Sequence, residues 1–63
     1  MSPQSILEEV ERLNSVSSRL EGLADLHPRA TVELLSIAGN VRNIATLLAV
    51  LVATKLHGKE GHS

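Results

Sequence analysis

Near the C-terminus, His57, Glu60 and His62 are of the types that ligate divalent metals. They sit among glycines and lack the i, i+4 histidine spacing that sets two imidazoles on one helix face. The stretch therefore reads as a solvated tail, with no metal site expected. His27 precedes Pro28 with no nucleophile or acid placed to work with it, so it reads as a turn residue rather than an acid-base group. No catalytic residue and no cofactor are expected, and the chain is read as a non-enzyme.

Two binding chemistries are worth weighing. Arg12 and Arg19 lie seven apart, on one side of a helix, and with Arg29 and Arg42 could contact phosphates. Glu8 and its acidic neighbours dilute that patch, and no aromatic residue exists to stack on a base, so nucleic acid is not the expected partner. Asn40, Arg42, Asn43 and Thr46 offer donors and acceptors beside apolar walls, as a small-ligand site between helices would require. Polar residues on the outward side of a helix need no ligand, however. Both stand as alternatives to a surface that recognises protein.

Composition narrows the classes further. The formal net charge of −1 provides no bulk field to gather nucleic acid or anionic lipid. Cysteine is absent, which excludes disulfides and is compatible with a reducing cytosol. The N-terminus MSPQSILEEVER has neither the basic and apolar regions of a secretory signal nor the basic character of a transit peptide, and a cytoplasmic location is the expectation. With no Phe, Trp or Tyr, any core must be built from Leu, Ile, Val and Ala, whose volumes suit helix-on-helix packing.

The elements that position these groups follow from periodicity and punctuation. Ser2 before Pro3, and Ser5 three residues before Glu8, are overlapping helix-start signals. Ile6, Val10, Leu13, Val16, Leu20 and Leu23 then recur at steps of three and four, predicting helix 1 over about residues 3–25 with an apolar stripe. Glu8 is spaced to pair with Arg12 on the same helix. His27-Pro28 predicts a turn at about 26–28, because proline pushes the preceding residue out of the α region. Helix 2 is predicted over about 29–56, with Gly58 as its stop and 58–63 as a flexible tail. A break at Gly39-Asn40 is the alternative, and the unbroken helix is preferred since an interior glycine costs only about 1 kcal/mol. The predicted class is all-α: one helical-hairpin domain over 1–57.

Helix 2 contains the most apolar run, IATLLAVLVAT at Ile44–Thr54. That run alone is too short to cross a bilayer, which takes about 20 apolar residues, and the basic flank of a membrane-surface helix is thin, with only Arg42 and Lys55 adjoining. On a helical wheel Leu34, Ala38, Val41, Ala45, Leu48 and Val52, flanked by Ile37, Ile44 and Leu51, form the stripe expected to face helix 1. A second line of Val32, Gly39, Asn43, Thr46, Val50 and Ala53, joined by Leu47, points elsewhere and is the candidate contact surface.

A chain below roughly 70–80 residues seldom stabilises itself with one core, so association is expected. The expected form is a homodimeric four-helix bundle, with a tetramer as the second choice. Its shared core would use Val41, Ile44, Ala45, Leu48, Leu51, Val52 and Leu56, the last two projecting past the start of helix 1. Glu9, within the apolar stripe of helix 1, and Arg42, at the edge of that of helix 2, are the candidate register pair. The resulting expectation is a self-associating interaction, scaffold or small regulatory module, acting on itself or on a larger protein.

Overall fold

The computed structural model describes residues 2–57, without the side chain of His57. Among these the protein is all helical apart from Ser2 and His27, with two long helices and no strand. Helix α1 spans Pro3–Leu26. Of its two possible starts the first is used: Ser2 is extended, its side chain accepts from the Ser5 amide at 3.3 Å, and Pro3 occupies the first turn. The Ser5 hydroxyl is instead engaged with that of Ser2 at 3.1 Å.

His27, with φ −128° and ψ 79°, ends α1, as the following proline requires. Its amide donates to Leu23 O at 3.0 Å. A single 3₁₀ turn, Pro28–Ala30, leads into α2, Thr31–Leu51. The Thr31 hydroxyl donates to Ala24 O at 2.7 Å, satisfying one of the carbonyls that a helix end leaves without a partner. Helix α2 runs unbroken through Gly39. From Val52 to His57 its hydrogen bonding widens to the π pattern, beginning next to the point where the Thr54 hydroxyl occupies Val50 O at 2.8 Å. The proposed stop at Gly58 and the tail 58–63 lie outside the described residues.

The two helices lie along one another in opposite directions, since the Ser17 hydroxyl reaches Ala38 O while Thr31 reaches Ala24 O. Their seam is made by Ile6, Val10, Leu13, Ser17, Leu20 and Ala24 against Thr31, Leu34, Ala38, Val41, Ala45, Leu48 and Val52, all buried or half-buried. Steps of three and four alternate throughout both sets, the seven-residue repeat that keeps a seam facing its partner helix. Its most deeply buried members are small: Ser17 is fully buried, and Ala24, Ala38 and Ala45 are each 1% exposed. Without long side chains between them the backbones come near enough for the 2.8 Å bond from Ser17 Oγ to Ala38 O.

This seam corrects the stripe read for helix 1. Val16 and Leu23 are each 41% exposed, and their expected places are taken by Ser17 and Ala24. The sequence reading followed side-chain size, whereas alternation after Leu13 requires a step of four to Ser17 and later a step of four to Ala24.

At the end far from the turn, Val52 is covered where it was expected to project. The register places Val52 beside Pro3, and the widened last turns contact α1, leaving Val52 3% exposed and Leu56 half-buried. Replacing Ser17 by Leu should lower stability in urea by about 1–3 kcal/mol, because the seam has no room for it. Ser17→Ala should cost about 1 kcal/mol or less, Ala38 O lying within the helical ladder. Urea titrations followed by circular dichroism would measure both, and a Ser17→Leu variant as stable as the parent would remove the close-approach account.

Candidate functional site

The expected register pair does not form. Arg42 Nη2 lies 3.6 Å from Glu21 Oε2, while Glu9 is bonded to Arg12 on its own helix, which also displaces the Glu8–Arg12 pair. Side chains tilt toward the N-terminus of their helix, so across antiparallel helices Arg42 leans toward the turn and Glu21 leans away from it, closing the distance. Glu9 sits on the opposite margin of the seam, beyond the reach of Arg42. One margin thus carries the pair Glu21 and Arg42, along with the exposed Leu7 and Leu35.

The other margin is apolar. Helix α2 contributes Ile37, Ile44 and Leu51, seven apart and 48%, 50% and 40% exposed, and α1 contributes Val16 and Leu23. At the end far from the turn, Ser5, Ile6, Glu9, Leu48 and Leu51 line an open groove of about 450 Å³ on this margin.

Of the residues assigned to a shared core, Ala45 and Val52 are buried in the single chain, Val41, Leu48 and Leu56 are half-buried, and Ile44 and Leu51 are exposed. All of Val32, Gly39, Asn43, Thr46, Leu47, Val50 and Ala53 are exposed, Val32 and Leu47 most among the large apolar ones. Thr46 donates to Arg42 O at 3.1 Å and Thr54 to Val50 O at 2.8 Å. Both hydroxyl donors are thus satisfied within α2, and apolar cover would strand neither.

The polar candidates do not converge. Arg42 turns to Glu21 on the margin, while Asn40 and Asn43 project from the exposed side of α2. Arg12 and Arg19 share the outer side of α1 with Glu8 and Glu11 around a shallow depression, and Arg12 is held by Glu9. His27 is exposed in the turn. The His57 side chain, Glu60 and His62 lie outside the described residues, and no group of three potential metal ligands occurs among those described.

Sequence reasoning missed Ser17 and Thr31, whose hydroxyls tie the two helices together. The available signal was seven-residue spacing: Ser17 to Ala24, and Thr31 through Ala38 to Ala45. It also considered Ile44–Thr54 apart from its helix. The continuous helical stretch Pro28–Leu56 has 29 residues, with mean hydropathy 1.6 over its qualifying 18-residue window. By length and composition it is sufficient to cross a membrane, and 17% of that window is buried against the rest of the chain.

No family model matches the chain, and no match is found among curated proteins or solved structures.

The Glu21–Arg42 pair is about half exposed at both ends, so its double-mutant coupling should be below about 1 kcal/mol. A thermal-denaturation cycle with Glu21→Ala and Arg42→Ala measures it. A coupling several times larger would make the pair, rather than the small-residue seam, the principal constraint on register.

Proposed function

We propose that the protein is a non-enzymatic, self-associating helical module in which the hairpin is the unit and the apolar surface of α2 is the means of recognition. The observation that carries this reading is that Val32, Leu35, Ile37, Ile44, Leu47, Val50 and Leu51 are all at least 40% exposed on one helix. The fully enclosed residues are instead Ser17, Ala24, Ala38, Ala45 and Val52. Scattered surface leucines are ordinary, but Ile37, Ile44 and Leu51 recur at every seventh position on one margin, and such a stripe on a short chain calls for cover. A dimeric four-helix bundle supplies it with Val41, Ile44, Leu48 and Leu51 in a shared core. Such an assembly would act by binding, as a scaffold or regulatory element.

The length and hydropathy of α2 favour a second reading, insertion into a bilayer. It ranks lower because a spanning α2 would carry Arg42 near its middle, where a charge costs about 2.5–3.5 kcal/mol on insertion scales. It would also separate α2 from the charged helix α1, breaking the Ser17–Ala38 and Arg42–Glu21 contacts. The purified chain in detergent-free buffer should scatter light as a discrete dimer at tens of micromolar. Leu48→Asp, placed where the seam meets the apolar margin, should dissociate or unfold it. A monodisperse monomer would overturn self-association, and quantitative partition into neutral lipid vesicles with no discrete oligomer would favour the bilayer.

A further inference from the structure

The apolar margin shared by the two helices is patterned in charge as well as hydropathy. Along α2 it begins with Glu33, continues through Ile37, Ile44 and Leu51, and ends with Lys55. The charges at the two ends of this α2 edge are therefore opposite, while Glu9 on the α1 side of the margin is already bonded to Arg12. Both Glu33 and Lys55 are exposed. Among the described residues, neither Glu33 nor Lys55 takes part in an ion pair.

We propose that this face docks a second copy of the chain about a two-fold axis perpendicular to the helices, setting α2 on the partner's α2 and α1 on the partner's α1. The inference rests on the self-associating reading above and specifies which face associates and how. An antiparallel two-fold brings each residue opposite the one equally far beyond the axis. With the axis near Ile44, Glu33 of each copy meets Lys55 of the other. The apolar residues between them then pack against their own kind.

The midpoint of Glu33 and Lys55 is Ile44, which the seam register puts beside Glu11. A parallel alignment about an axis along the helices forfeits the Glu33–Lys55 match, leaving Glu33 at the height of Leu20 to Gly22 of the partner's α1, where no basic residue leans toward it.

The size also suits a second copy. Helix α1, 24 residues long, is about 36 Å in length, and two helices side by side present a face roughly 20 Å wide. That is roughly 700 Å², against about 800 Å² per partner in a stable interface. The Val32, Leu47 and Val50 line stays on the outside of the resulting bundle.

Analytical ultracentrifugation of the full chain and its variants tests the proposal. Lys55→Glu and Glu33→Lys should each raise the dimer dissociation constant about tenfold, because two attractive pairs become repulsive in every dimer. The double variant restores opposite charges and should return to within about threefold of the parent. Ile44→Asp should yield a helical monomer, since the side chain is outside the seam. A parent chain that is monomeric at every concentration overturns self-association itself. A dimeric parent whose Ile44→Asp variant remains dimeric, or whose charge reversals fail to compensate, overturns this face and leaves self-association standing.

Discussion

The close approach of two helix backbones is the constraint on which the rest of the structure depends. Ser17, Ala24, Ala38 and Ala45 occupy the deepest positions of the seam, and a small residue at every seventh position allows the Ser17 hydroxyl to reach the Ala38 carbonyl at 2.8 Å. Interiors are ordinarily filled by interdigitating large side chains. Here the narrow seam encloses little volume, and the larger residues are displaced to its margins. Exposure of Val16, Leu23, Ile37 and Ile44 is thus a geometric consequence of how tightly the pair closes.

Closure also explains the distribution of polar groups. A hydroxyl buried between apolar surfaces is costly unless it finds an acceptor, and Ser17 finds one on the opposite helix. Thr31 binds Ala24 O across the turn, while Thr46 and Thr54 bind carbonyls one turn back in α2. The first two fix the pairing of the helices. The latter two satisfy their hydroxyl donors within α2 itself. The charged pair Glu21–Arg42 marks one margin, and the opposite margin is left to Ile37, Ile44 and Leu51.

Much of the architecture was legible in the sequence because it depends on local chemistry. Ser2-Pro3 starts α1, and His27-Pro28 ends it by a steric conflict that needs no tertiary information. The regular recurrence from Leu34 to Val52 marked the side of α2 that meets α1. The corresponding side of α1 was harder to read, because Val16 and Leu23 are more apolar than the small residues that displace them. Only the repeat in the partner helix reveals that size, rather than polarity, decides those positions. The partner of Arg42 depended on side-chain tilt between antiparallel helices, which a helical wheel does not represent. The candidate surface was visible as an excess of apolar residues, but its division into margins required the register.

If the surplus apolar surface is completed by another copy, folding and association are one equilibrium, and stability must depend on protein concentration. Urea unfolding at two concentrations a hundredfold apart is the most direct measurement. The account predicts a higher midpoint in the more concentrated sample, corresponding to about 2.7 kcal/mol per dimer. Coincident unfolding curves at the two concentrations would contradict it.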